Sequence, residues 1–120
     1  MSTNKPSNEI TNLLKSFVYS AHGLKAALLQ PAFRIEFLTS CILIPSAFIF
    51  SQTAVECALL VGSVLLVLTV ELLNTAVEMT IDRISSEWHE LSKRAKDLGS
   101  AAVFLSFLNA TAIWLIIFVR

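Results

Sequence analysis

Residues 57–82 read CALLVGSVLLVLTVELLNTAVEMTID, and this stretch decides the fold because an uncharged run ends in polar residues. Four polar side chains follow the run at spacings of three, four and four residues: Glu71, Asn74, Glu78 and Asp82. In a helix this spacing puts all four on one face. An ionisable group inside a membrane costs about 2.5–3.5 kcal/mol on insertion scales, and it usually faces a bundle interior or a water-filled pocket. The stripe therefore indicates a functional site.

The composition is that of a small membrane protein. The chain has 120 residues, 55% of them hydrophobic, and a formal net charge of zero. This length suits a single domain, residues 1–120. A neutral chain has no overall field that attracts nucleic acid, so we expect no nucleic-acid partner.

The hydrophobic pattern predicts an all-α membrane protein. In the first part of the chain, apolar residues recur at steps of three and four, which predicts an amphipathic helix that lies on the membrane surface or packs on partner helices. Three apolar segments are long enough to cross the hydrocarbon. We predict a tail and surface helix at 1–29, with the tail at 1–8, and transmembrane helices at 32–50, 57–81 and 98–119. Residues 82–97 are predicted to form a cytoplasmic loop, with room for helical extensions at each end.

The distribution of lysine and arginine predicts the orientation. The segment 51–56 between the first two apolar helices has neither residue, whereas the segment 83–97 has four of them. Positive residues favour the cytoplasmic side. We therefore expect a membrane protein with the N-terminus and the second loop in the cytoplasm and the C-terminus outside.

The depth of the two glutamates predicts a site at the membrane surface. At about 1.5 Å per residue, Glu71 lies about 21 Å along its helix from Cys57, and Glu78 lies about 10 Å further. Glu71 is then just inside the hydrocarbon boundary and Glu78 is near the headgroups. Such a pair suits a reaction between a membrane-dissolved substrate and a water-soluble one.

Cations follow at the same level of the membrane. Lys93, Arg94 and Lys96 precede the last apolar helix, and cations beside acids suit phosphate groups. Two carboxylates with other oxygen ligands suit Mg²⁺. The structural alternative is that Glu71 and Glu78 form ion pairs with Lys96 or Arg34, while the other cations serve only topology.

Two segments, ELLNTAVE at 71–78 and DRISSEWHELSKRAKDLGSAAV at 82–103, closely resemble the small prokaryotic integral-membrane diacylglycerol kinase family. The resemblance extends from about Tyr19 to the last helix. It implies a homotrimer of three-helix subunits, each with an N-terminal surface helix. It also implies transfer of the ATP γ-phosphoryl group to the primary hydroxyl of diacylglycerol.

The resemblance assigns roles by matching position. Glu71 is similar to the general base, Asn74 to the active-site amide, and Glu78 to the ligand of Mg²⁺ that bridges the ATP phosphates. The positions similar to the remaining nucleotide contacts are Tyr19, Glu87, Trp88, His89, Lys96 and Asp97. The positions similar to the lipid site are Phe33, Arg34, Glu36 and Glu71 with Ser100 and Trp114.

The chain departs from the family pattern at two positions. Gln30 precedes the Pro-Ala-Phe-Arg segment where the family usually has an acidic second metal ligand, so either Gln30 or Glu36 is expected to replace it. Asn12 stands where the family often has a basic nucleotide contact. Two rival functions remain: a related undecaprenol kinase, which residues 95–103 resemble less, and a non-enzymatic membrane subunit with structural acids.

Overall fold

The computed structural model describes residues 6–120 and consists of four helices without a strand in that range. The helices are α1 (Pro6–Leu28), α2 (Pro31–Phe50), α3 (Ala54–Ile84) and α4 (Glu90–Val119). The all-α prediction is confirmed. Of the tail predicted at 1–8, residues 1–5 lie outside the described residues, and residues 6–8 are helical because α1 begins at Pro6.

The break between α1 and α2 lies where the proline predicts it. Gln30 is extended, with φ −85° and ψ 126°, and Pro31 takes the first position of α2. A residue before proline avoids helical angles, and proline is tolerated in a first turn. Arg34 ties the two helices together, because its guanidinium donates to the carbonyls of Leu28 (3.0 Å) and Leu29 (3.4 Å).

A reciprocal cap starts α3 three residues earlier than predicted. The Thr53 hydroxyl accepts from the backbone N–H of Glu56 at 3.1 Å, and the Glu56 carboxylate accepts from the N–H of Gln52 at 2.8 Å. This arrangement satisfies two backbone donors that a helix start leaves free. The turn between α2 and α3 is therefore short, and the N–H groups of Gln52 and Glu56 both donate hydrogen bonds within it.

The charged segment that we predicted as a loop at 82–97 is largely helical. Only residues 85–89 separate α3 from α4, and the His89 imidazole caps α4 by accepting from the N–H of Leu91 at 3.0 Å. Two ion pairs at i,i+4 spacing extend the helix into this segment: Glu90–Arg94 (3.1 Å) and Lys93–Asp97 (2.7 Å). Such pairs support a helix that the hydrophobic pattern alone does not reveal.

Helix α3 is central and packs against both α2 and α4. The core contains the buried residues Phe33, Ala47, Leu60, Val64 and Val67, together with the serines Ser40, Ser63 and Ser106. Each buried serine donates to a carbonyl three residues earlier in its own helix. Small residues let membrane helices approach closely, which explains serines in this core.

Three helices are long and apolar enough to cross a membrane, namely α2, α3 and α4. They contain 20, 31 and 30 residues, and about 20 suffice for the hydrocarbon. Many large apolar side chains on their outer faces are exposed in the isolated chain. Surfaces of this extent are buried by lipid or by other protein chains.

Candidate active site

The predicted stripe on α3 lies against α4, and its central residues are hydrogen-bonded. Glu71, Asn74 and Glu78 are half-buried, and Asp82 is exposed. The amide nitrogen Nδ2 of Asn74 donates to Oε1 of Glu78 at 3.3 Å. The amide oxygen Oδ1 of Asn74 is buried and accepts no hydrogen bond. Asn74 therefore holds the Glu78 carboxylate with one end of its amide only.

Lys96 on α4 reaches the same stripe. Its ammonium donates to Oδ1 of Asp82 at 2.8 Å and interacts electrostatically with Glu78. Because the side chains of Lys96 and Asp82 are 43% and 67% exposed, the pair is accessible to water and to a charged ligand. Lys96 is thus the cation of segment 83–97 that lies beside the α3 acids, as the sequence predicts.

Glu36 brings a third carboxylate from α2. It interacts electrostatically with Glu71, which in turn interacts with Glu78. Glu36 is half-buried, and its Oε2 is buried without a hydrogen-bond partner. Three helices therefore contribute to one polar cluster, which we call the acidic cluster and which consists of Glu36, Glu71, Asn74, Glu78 and Lys96.

The structural alternative for the acids is not observed in residues 6–120. The ion pairs there are Lys93–Asp97, Arg94–Glu90 and Lys96–Asp82. Arg34 donates to backbone carbonyls at the end of α1 instead of to a glutamate. Glu71 and Glu78 therefore have no ion-pair partner within the described residues, and their carboxylates remain available for chemistry.

An apolar cavity of about 610 Å³ lies between α2, α3 and α4. Glu36 lines it, so the cavity adjoins the acidic cluster, and Trp114 lines it as well. The Trp114 indole donates to the Ser63 hydroxyl at 3.1 Å and packs on Phe118 with ring centroids 5.5 Å apart. Sequence reasoning missed Ser63, because a serine in an apolar run shows no periodicity that marks it.

The other predicted lipid-site residues do not line this cavity. Phe33 is 1% exposed and stacks on Phe37 with ring centroids 6.4 Å apart, so its side chain belongs to the core. Arg34 joins α1 to α2, and Ser100 is exposed on α4. In a single chain, only Glu36 and Trp114 of the predicted set share the cavity.

The predicted nucleotide contacts beyond Glu78 and Lys96 are spread over the exposed surface. Tyr19 is exposed on α1, while Glu87, Trp88 and His89 occupy the connection between α3 and α4. Asp97 pairs with Lys93 within α4. The connection 85–89 begins three residues after Asp82, so Glu87, Trp88 and His89 lie at the same end of the helices as the acidic cluster.

The donor set suits Mg²⁺ better than a transition metal. No group of three or more His, Cys, Asp or Glu side chains within the described chain is arranged to hold a metal. The carboxylates of Glu36, Glu71 and Glu78 offer only hard oxygen donors, and the Oε2 of Glu36 has no hydrogen-bond partner. Mg²⁺ is usually bound by one or two carboxylates together with substrate phosphates and water, so a sparse oxygen set is sufficient.

Comparison with known proteins identifies the family. The profile of the family described as prokaryotic diacylglycerol kinase matches residues 18–118. A diacylglycerol kinase from Haemophilus influenzae is 49% identical over 106 residues, covering 88% of this chain and 90% of that protein. Diacylglycerol kinases from Escherichia coli K12 and Pseudomonas aeruginosa are each 44% identical, over 89% and 88% of this chain and 88% and 86% of their own lengths. The chain therefore belongs to the prokaryotic diacylglycerol kinase family.

Proposed function

We propose that this chain transfers the γ-phosphoryl group of ATP to the primary hydroxyl of diacylglycerol and produces phosphatidic acid. One observation carries the proposal besides the family membership. Glu71, which has no ion-pair partner within residues 6–120, lies in a membrane-length helix and interacts electrostatically with Glu36, which lines the apolar cavity, and with Glu78. Glu78 interacts in turn with the water-exposed Lys96. This position lets a lipid hydroxyl and a soluble phosphate meet.

Glu71 acts as the general base of this reaction. Its carboxylate accepts the proton of the lipid hydroxyl as the oxygen attacks the γ-phosphorus and the bond to the β-phosphate oxygen breaks. Positioning and charge neutralisation supply most of the catalysis in phosphoryl transfer, and a positioned base adds about 10²–10⁴-fold. Asn74, one turn further along α3, orients Glu78 and keeps the two carboxylates in separate roles.

Glu78 and Lys96 serve the nucleotide. Glu78 would hold Mg²⁺ together with the ATP phosphates, and the ion would supply charge neutralisation there. Lys96 exchanges its partner Asp82 for a phosphate oxygen, which the exposure of both side chains permits. The remaining nucleotide contacts proposed from the family resemblance are Tyr19, Glu87, Trp88, His89 and Asp97.

Glu36 is the better candidate for the second acidic metal ligand. It interacts electrostatically with Glu71, and one of its oxygens is buried without a partner. Gln30 is exposed at the break between α1 and α2, where its side chain is not part of the acidic cluster. We therefore assign the replacement of the family's acid to Glu36.

The apolar cavity holds part of the lipid. Its volume of about 610 Å³ falls within the range of about 300–1,000 Å³ that is typical of ligand pockets. Glu36 contributes a carboxylate to the lining of this cavity, and Trp114 contributes an indole. The family-derived assignment adds Phe33, Arg34 and Ser100 to the lipid site, although none of them lines the cavity of the single chain.

The proposal includes the assembly and its location. The enzyme is a homotrimer in the bacterial inner membrane, with the N-terminus and residues 85–89 in the cytoplasm and the C-terminus outside. The exposed apolar faces of α2, α3 and α4 support burial against lipid and further copies. The exposure of α1 supports a helix that rests on the membrane surface.

In the decisive experiment, purified protein in detergent micelles is incubated with Mg-ATP and either diacylglycerol or undecaprenol. The phosphorylated lipid is then identified. Phosphatidic acid is the expected product. Undecaprenyl phosphate as the preferred product would keep the phosphoryl transfer but contradict the assigned substrate. No product from either lipid in folded protein would support the non-enzymatic alternative.

A further inference from the structure

Gly99 of α4 lies directly against the Asn74 side chain of α3. A Cβ atom built on Gly99 would overlap the Oδ1 atom of Asn74 and would lie 3.2 Å from its Cγ. Equivalent Cβ atoms built on Gly23 and Gly62 have no atom within 4 Å apart from their chain neighbours and the backbone of their own helix. Among the three glycines of the chain, only Gly99 therefore occupies a position where a side chain has no room.

The contact with Gly99 involves the end of the Asn74 amide that has no hydrogen-bond partner. Nδ2 donates to Glu78, while Oδ1 is buried and faces the Gly99 backbone. The reverse orientation of the amide would place two acceptors, Oδ1 and the carboxylate, against each other. The Cα–H of glycine in this direction is a weak donor for Oδ1. The absence of a side chain at position 99 therefore leaves room for the orientation of the Asn74 amide in which Nδ2 donates to Glu78.

We propose that Gly99 is a positioning residue that holds the Asn74 amide in the orientation that donates to Glu78. The proposal rests on the function proposed above, in which Glu78 holds Mg²⁺ with ATP. A methyl group at position 99 would take the space of Oδ1, so that either the amide turns away from Glu78 or α4 moves away from α3. In both cases Glu78 loses its donor.

The test compares Gly99→Ala with the matched control Gly62→Ala. Both changes add one methyl group to a glycine in the interior of a membrane-length helix, and both raise helix propensity. In Gly99→Ala we expect the Mg²⁺ concentration for half-maximal activity to rise about 10–100-fold, the loss typical of removing a partner behind a metal ligand. Gly62→Ala should match the wild type. Equal Mg²⁺ dependence in Gly99→Ala and the wild type would overturn the proposal.

A double-mutant cycle separates positioning from general disruption of packing. In an Asn74→Ala background, the remaining Cβ of residue 74 lies 3.9 Å from the methyl group built at position 99, which is an ordinary contact. The readout is binding of Mg²⁺ with a non-hydrolysable ATP analogue, measured by calorimetry. We expect Gly99→Ala to weaken binding in the native background and to have no further effect with Asn74→Ala.

An equal loss of binding in both backgrounds would show that Gly99 acts through helix packing and would overturn the positioning role. The wild type separates this result from a failure of the proposed function. A wild type that makes phosphatidic acid but tolerates Gly99→Ala contradicts the role of Gly99 alone. A wild type without any lipid kinase activity contradicts both proposals.

Discussion

The acidic cluster and the apolar cavity adjoin each other but are built in different ways. In the cluster, the main polar residues lie on one face of α3, and α2 and α4 add Glu36 and Lys96. The cavity takes its lining from three helices, and its one interhelical hydrogen bond joins Trp114 and Ser63, which are 51 residues apart. The chemistry therefore depends on local spacing, whereas the lipid pocket depends on how the helices pack.

This difference predicts different responses to substitution. A change in the cluster removes a group that reacts or holds charge, so it should affect turnover more than folding. A change in the cavity wall removes a packing contact or a buried hydrogen bond, so it should affect stability and substrate fit. The four substitutions below test the comparison in order of decreasing effect.

Glu71→Gln should reduce turnover about 10²–10⁴-fold, because the amide cannot accept the proton of the lipid hydroxyl. Glutamate and glutamine are nearly the same size. The melting temperature and the elution volume in size-exclusion chromatography should therefore match those of the wild type. Initial rates of phosphatidic acid formation measure the effect. Glu56→Gln, at the opposite end of α3, is the control. Activity of Glu71→Gln close to that of the wild type would remove Glu71 from the mechanism.

Glu78→Gln should raise the Mg²⁺ requirement, because a neutral amide is a weaker ligand for a hard cation. The Mg²⁺ concentration for half-maximal activity should rise at least as much as it does when a residue behind a metal ligand is lost, which is about 10–100-fold. Titration of activity with Mg²⁺ at fixed ATP measures it, with Glu56→Gln again as the control. A variant with an unchanged Mg²⁺ titration would assign the metal to other residues of the cluster.

Ser63→Ala should lower the free energy of unfolding by about 0.5–1.5 kcal/mol, because the Trp114 indole loses its acceptor. Thermal unfolding in detergent provides the measurement. Ser106→Ala is the control, since Ser106 is also buried but bonds to its own helix at Val103. Comparable losses of unfolding free energy in the two variants would mean that the hydrogen bond between Trp114 and Ser63 contributes nothing to stability.

Activity with diacylglycerols of different chain length should also change in Ser63→Ala, because the freed indole lines the cavity. Ser106 does not line the cavity, so Ser106→Ala should retain the wild-type preference. If Ser63→Ala keeps the wild-type preference for chain length, Trp114 does not belong to the lipid site.

Asp82→Asn should have the smallest effect on stability. The ion pair with Lys96 is exposed to water, and exposed pairs contribute little because solvent screens them. The melting temperature should stay unchanged, while the KM for ATP should fall as Lys96 is freed for phosphate. A lower melting temperature would instead make the pair a structural link between α3 and α4.

Most of the acidic cluster was predictable from residue spacing. Glu71, Asn74 and Glu78 share a face because helical periodicity depends only on their separation. Residue spacing alone placed three cations near the acids without choosing among them, whereas the family resemblance pointed to Lys96. The structure selects Lys96, because Lys93 and Arg94 form i,i+4 pairs within α4. The same pairs explain why the predicted loop at 82–97 is mostly helical.

By itself the sequence determined the helical class, the three membrane-length segments, the break at Pro31 and the polar face of α3. These features follow from local periodicity, hydrophobic length and proline geometry, which act within a few turns of one helix. Only the tertiary structure decided that Glu36 joins Glu71, that Trp114 bonds Ser63 and that Gly99 contacts Asn74. Those contacts join residues on different helices, and their formation depends on the angle and distance at which the helices pack.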